Sequence, residues 1–214
     1  MYERQSGFIE LSQIFIRERE LRFDVVQLPQ DIRSCALKDI TQYTLRKDGK
    51  KLRYRVTTLY YGSRLLRTFE RIEKSNEERI TNINMFYIVC DEYTKTIDEK
   101  SFLDAICKMN CTPQHKRRLH YPSGINDPQS GTQLHYEVDL FYPPNENGEV
   151  DVRSKFELPT WRKSEWFQPA SWLEPKSKKS VSYHQVGDLL VDYVPYKPIS
   201  PISTLIQRVS TYLR

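Results

Sequence analysis

Glu18 and Glu20 stand one residue apart in the run RERELRFD, residues 17–24. Side chains alternate faces along a strand, so both carboxylates would leave the same face as near neighbours. Two like charges so placed are costly unless a cation lies between them or basic side chains face them. The same alternation recurs with other charges. Arg53 and Arg55 share a face in KLRYRVT, as do Lys116, Arg118 and His120 in HKRRLHY, and Glu137 and Asp139 in LHYEVDLFY, each opposite a row of apolar residues. Carboxylates on some strands and Arg or Lys on others suit a divalent cation held beside a polyphosphate.

The elements that must carry these rows read mostly as strands. Phe8, Leu11 and Phe15 have near-helical spacing and predict a short helix before the strand of residues 14–27. Residues 43–48 and 51–60 flank a hairpin turn at Asp48-Gly49, and residues 64–74 and 83–93 continue the series. The period then changes. Phe102, Leu103 and Ile106 form a helical stripe behind Asp98, a capping residue. Strand character returns at residues 116–121 and 133–142, followed by the loop PPNENGE. Beyond it lie a proline-broken stretch holding Trp161, Trp166 and Trp172, and an amphipathic terminal helix. That helix has Ser200 and Pro201 at its start and Ile202, Leu205, Ile206, Val209 and Leu213 on one face.

Seven or more short-linked strands favour closure, which removes exposed edges. The fold expected is mainly β (α+β). It is an antiparallel β-barrel or tunnel with a charged lumen, one mid-chain helix and a C-terminal helix. A domain of residues 1–149 would form the barrel, and residues 150–214 would be an extension packed on it or used for interaction. A sandwich with its charged faces in water is the alternative arrangement.

The 214 residues suffice for one domain with a real core, and fourteen Tyr and nine Phe against seven Gly agree with β structure. No apolar run approaches 18 residues and the N-terminus lacks a signal-like apolar segment, so no membrane association is expected. The four cysteines, Cys35, Cys90, Cys107 and Cys111, have no framework spacing, which suits a reducing, intracellular compartment. A net charge of +5 and a pI of about 8.9 favour an anionic partner, with basic clusters at residues 46–74, 115–118 and 176–179.

In order, these motifs resemble those of the metal-dependent tunnel family of mRNA 5′-triphosphatases, capping enzymes of fungi, protists and some large DNA viruses. ERELRF (18–23) is similar to the family's first glutamate strand, RYRVT (53–57) to its arginine strand and RIEKS (71–75) to the strand with a phosphate-side lysine. FYIVCDEY (86–93) resembles the strand that ends in an acidic residue, HKRRLHY the Lys-x-Arg strand, and HYEVDLF (135–141) the closing carboxylate strand. Phe141 stands where that strand would offer a third carboxylate. The resemblance implies that Glu18, Glu20 and Glu137 or Asp139 hold Mg²⁺ or Mn²⁺. It implies that Arg55, Lys74, Lys116 and Arg118 cradle the phosphates and that Glu92 orients the attacking water. It further implies triphosphate-ended RNA as substrate, a capping guanylyltransferase as partner, and a nuclear location, or a viral factory or virion; a homodimer is compatible with it.

Three other readings compete. A non-catalytic barrel could serve as an interaction scaffold, as in Mediator head subunits that resemble this fold. A basic RNA-binding protein needs the charge alone. A zinc site could use Cys107, Cys111, His115 and His120, although its short spacing leaves little chain for four ligands to converge.

Overall fold

The computed structural model describes residues 13–82, 85–127, 130–158, 168–176 and 181–198. Eight antiparallel strands close into a barrel: β1 (Gln13–Val25), β2 (Ala36–Lys47), β3 (Lys50–Tyr61), β4 (Arg64–Asn82), β5 (Met85–Ile97), β6 (Gln114–Asn126), β7 (Gln133–Tyr142) and β8 (Val150–Glu157). Their order around the wall is β8-β7-β6-β2-β3-β4-β5-β1, and β1 meets β8 again through pairs from Glu20↔Glu157 to Phe23↔Ser154. The barrel therefore runs past residue 149, where the sequence reading ended it. Two three-residue strands, β9 (Leu173–Pro175) on β1 and β10 (Ser182–His184) on β8, extend the sheet.

Local chemistry explains several joints. Asp48 and Gly49 both take positive φ, 50° and 72°, the geometry a two-residue hairpin turn requires between β2 and β3. A bulge lies between Ser75 and Glu78 of β4, with Asn76 at φ 52°. It shifts the inward row from even to odd residues, so Lys74 and Glu77 both reach the lumen. The single described α-helix, α1 (Glu99–Ile106), starts where expected: the Asp98 carboxylate accepts the Ser101 N–H at 2.8 Å.

The barrel is apolar outside and charged inside. Leu21, Phe23, Leu119, Val138, Leu140, Val152 and Phe156 point outward, fully buried beneath the segments that follow β8. On the opposite flank α1 seats Phe102 and Ile106 against Tyr43, Val56 and Phe69. Residues 181–198 run along the outside as a strap. Arg117 fastens it by donating to Asp39 of the wall (2.7 Å) and to the Leu189 carbonyl of the strap (2.8 Å), with Asp192 as a further partner. Tyr193 donates to the Ile40 carbonyl at 3.0 Å, and Tyr196 to Glu99 at 2.8 Å.

Trp172 packs edge-on against Tyr121 and Tyr136. Trp161, Trp166, the terminal helix and the Phe8–Leu11 part of the expected first helix lie outside the described residues. Phe15, its last apolar position, belongs to β1. No described helix is long and apolar enough to cross a membrane.

Candidate functional site

The alternating rows meet in a cavity of about 570 Å³ that fills the barrel. Among the described residues twelve Lys or Arg against seven Asp or Glu line it, so the tunnel holds a surplus of positive charge. The two signs are not mixed evenly. Strands β1 and β8 carry Glu18, Glu20 and Glu157, whereas β2 and β3, across the lumen in the strand order, carry Arg46, Lys51, Arg53 and Arg55.

On the acidic wall, carboxylate oxygens of Glu18, Glu20 and Glu157 lie within 4.8 Å of one another. Hard oxygen donors so grouped on two paired strands suit a hard divalent cation. They are the group of three or more suited to a metal among the described residues. The third carboxylate of this cluster is Glu157, and Glu137 and Asp139 lie outside it. Asp139 is buried and committed to Lys116 (2.5 Å) and Arg118 (2.6 Å), which hold its carboxyl well below the usual range despite burial. Glu137 pairs with Arg118 (2.5 Å) and Lys155 (2.7 Å) and is held near 2 against its burial.

Lys155 occupies the centre of this wall. Its Nζ lies 2.7 Å from Glu157 and Glu137, 3.1 Å from Glu20 and 3.9 Å from Glu18. Burial would push the ammonium down, but these carboxylates raise it well above the usual lysine range. It answers the cost of crowding Glu18 and Glu20, helped by Arg22 on Glu20 (2.5 Å) and Lys74 on Glu18. Burial would raise the Glu20 carboxyl, yet Lys155, Arg22 and Lys74 bring it well below the ordinary value. Glu157, half open to solvent, is pushed up: Lys155 pulls it down, and desolvation beside Glu137 and Glu18 outweighs that pull.

The cations expected to hold phosphate divide. Lys74 bridges Glu18 and Glu92 (2.7 Å), and Glu92 also accepts from Thr94 at 3.0 Å. Lys116 and Arg118 clasp Asp139, and burial with Arg118 close by pushes the Lys116 ammonium well down. Arg55 reaches Glu70 at 3.7 Å, and its buried Nε has no hydrogen-bond partner.

Two further cations were not assigned from sequence. Arg53 is half-buried, its buried Nε has no hydrogen-bond partner, and desolvation beside Arg55 lowers it to about 10. Lys51 makes no ion pair among the described residues. It sits in register between Arg46 and Lys74, and burial beside Arg53, Arg46 and Lys74 lowers it to about 7. Buried guanidinium donors without partners, beside an ammonium without an ion pair, make a site for an anionic ligand. Their signal was the alternation of Lys51, Arg53 and Arg55. The signal for Lys155 and Glu157 was the period-two run VDVRSKFE, residues 150–157.

The zinc reading fails on placement. Cys107 is exposed at the end of α1, His115 meets Thr41 at 3.0 Å, and His120 faces His135, so the four do not cluster.

No protein-family profile and no curated protein matches the sequence. Among solved structures, the inorganic triphosphatase NE1496 aligns at a TM-score of 0.41 and 17% identity, over 74% of this chain and 85% of that one. A second structure, of the hypothetical protein NE1496, aligns at 0.39 and 17%, over 76% and 88%.

Proposed function

We propose that the tunnel is a metal-dependent triphosphatase site that removes the γ-phosphate from triphosphate-ended RNA. One observation carries the reading: an acidic triad on β1 and β8 faces Arg53 and Arg55 of β3, whose buried Nε atoms have no hydrogen-bond partner, across one tunnel. Phosphoryl transfer needs positioning and charge neutralisation more than covalent chemistry, so such a pair of walls supplies most of what the reaction requires.

Glu18, Glu20 and Glu157 would hold the metal. Bound there, a divalent ion would neutralise charge on the transferring phosphoryl group and orient its oxygens. Arg53, Arg55 and Lys51 take the phosphate oxygens, and exclusion of bulk water strengthens each contact. Arg118, pinned by Asp139, presents a fixed guanidinium with little freedom to lose on binding, and Lys116 adds a held donor beside it. Glu92 stays ionised because Lys74 and Thr94 hold it below the usual carboxylate value against its burial, and it accepts a hydrogen bond from the attacking water. The same reading places the protein in cap formation beside a guanylyltransferase, in the nucleus or a viral compartment.

A second reading rests on Lys155. Because its ammonium already occupies the acidic group, the barrel could bind an anion without a metal and act as a scaffold. Phosphate release from triphosphate-ended RNA separates the two, measured with Mn²⁺, with Mg²⁺ and with chelator, Glu20→Ala protein alongside. Metal-dependent release lost in the variant supports the enzyme. No release from well-folded wild-type protein supports the scaffold.

A further inference from the structure

A second recess of about 380 Å³ opens beside the tunnel, and Gln114 and Phe141 line both. Its lining adds aromatic surface that the tunnel largely lacks: Phe141 and Tyr183 contribute rings, Gln114 and Asn145 polar edges, and Glu149 and Asp151 carboxylates, while the neighbouring Tyr142 ring packs outward on Tyr193. Strand register explains the grouping. Tyr183 of β10 pairs with Asp151 of β8, so both leave the same face of the sheet, the one that carries Arg153, Lys155 and Glu157 into the lumen. The short strand β10 thus extends the tunnel wall by one ring.

We infer that this recess is a nucleoside subsite, in which the base and sugar attached to the triphosphate rest while the phosphates enter the tunnel. The inference deepens the triphosphatase reading and rests on it.

Spacing supports it. Asp151 and Glu157 lie six residues apart on β8, about 20 Å along the strand and roughly 15 Å along the axis at a usual barrel tilt. Three phosphates and a ribose span that gap, with Arg118 between the two ends and Lys116, in register with Phe141, at the recess end.

Chemistry supports it too. The Arg153 guanidinium lies 4.5 Å over the Phe141 ring, which fixes that ring and adds a flat cationic plane. Tyr183 remains half exposed at 52%, an open stacking surface at the mouth. Stacking on such surfaces tolerates any base, because every base has a π-face. Gln114 accepts a hydrogen bond from Gln42 at 2.6 Å through its oxygen, which leaves its amide group as a donor. Phe141, placed where a third alternating carboxylate was expected, becomes the boundary between the phosphate and nucleoside parts of one ligand.

The test is steady-state hydrolysis of ATP, triphosphate-ended RNA and inorganic tripolyphosphate by the wild-type chain, Tyr183→Ala and Tyr183→Phe. Equilibrium dialysis of ATP and tripolyphosphate runs alongside. Tyr183→Ala is expected to raise KM and Kd for the two nucleoside-bearing ligands about tenfold and to leave tripolyphosphate unchanged. Tyr183→Phe, which keeps the ring, is expected to match wild type. Equal losses on all ligands, or no loss on ATP and RNA, would overturn the subsite. If the wild-type chain hydrolyses none of the three, the triphosphatase reading fails by itself. Dialysis then decides the subsite, and ATP binding that ignores Tyr183→Ala overturns it.

Discussion

The two walls of the lumen are opposite in more than sign. The acidic wall brings its own counter-ions: Lys155, Lys74 and Arg22 reach Glu18, Glu20 and Glu157, so every carboxylate there has a partner from the chain. The basic wall does so only in part. Arg53 keeps a buried Nε without a partner, and Lys51 has only cations as cross-strand neighbours. Burying charge without compensation costs several kcal/mol per ion, and a fold retains such groups where a ligand completes them. The asymmetry teaches what each wall awaits. The basic side keeps donors that its few carboxylates, Glu70 and Glu77, leave unmet, whereas the acidic side can take a metal only by exchange for Lys155.

The largest effect should come from emptying the acidic wall. Glu157→Ala and Glu20→Ala are each expected to cut metal-dependent phosphate release by on the order of a thousandfold or more, while circular dichroism shows an intact barrel. Full activity in Glu157→Ala would remove β8 from the chemistry.

Next comes the basic wall. Arg53→Ala should lower turnover by roughly a hundred- to a thousandfold and leave Mn²⁺ affinity, read by calorimetry, unchanged. A matching loss of metal binding would mean that the walls are not separate.

Exchange at Lys155 predicts the reverse sign. Lys155→Met should tighten Mn²⁺ binding at least about tenfold. A unit charge about 4 Å away, at an effective dielectric constant of about 20, is worth more than the 1.4 kcal/mol of a tenfold change. Unchanged or weaker binding would show that the ammonium does not compete.

The smallest effect is on pH. Lys51 has a depressed value of about 7, set by burial and by Arg53, Arg46, Lys74 and Arg22, with Glu77 the nearby carboxylate. An anionic ligand favours the protonated form, so its presence raises that value and binding takes up a proton. Tripolyphosphate affinity should therefore be highest below pH 7 and fall as pH rises through 7 and above. Lys51→Met should flatten this slope, and an unaltered slope would assign it to other groups.

Much of the wall was legible in sequence because alternation is a local property. Arg53 and Arg55, Lys116 and Arg118, and Glu18 and Glu20 announce their shared faces within a few residues. Asp48-Gly49 and Asp98 announce the hairpin turn and the helix start in the same way. Which charges meet is a different matter. Asp139 falls to Arg118 and Lys116 because β6 and β7 pair in the register Arg118↔Asp139, and Glu157 joins Glu20 because β8 closes on β1. Those pairings span up to the full length of the barrel, and periodicity does not encode them. Strand β8 also hid between a proline-rich loop and a proline at residue 159, although Val150, Val152 and Phe156 alternate with Asp151, Arg153, Lys155 and Glu157. The Phe8–Leu11–Phe15 spacing misled at its end, where pairing with β5 makes Phe15 part of a strand.

The most direct test is a crystal of the protein grown with Mn²⁺ and tripolyphosphate, with anomalous scattering used to locate the manganese. The account predicts a manganese peak bounded by Glu18, Glu20 and Glu157, Lys155 swung away from them, and phosphate oxygens on Arg53 and Arg55. Manganese elsewhere, or Lys155 still seated among the carboxylates with phosphate bound, would contradict it.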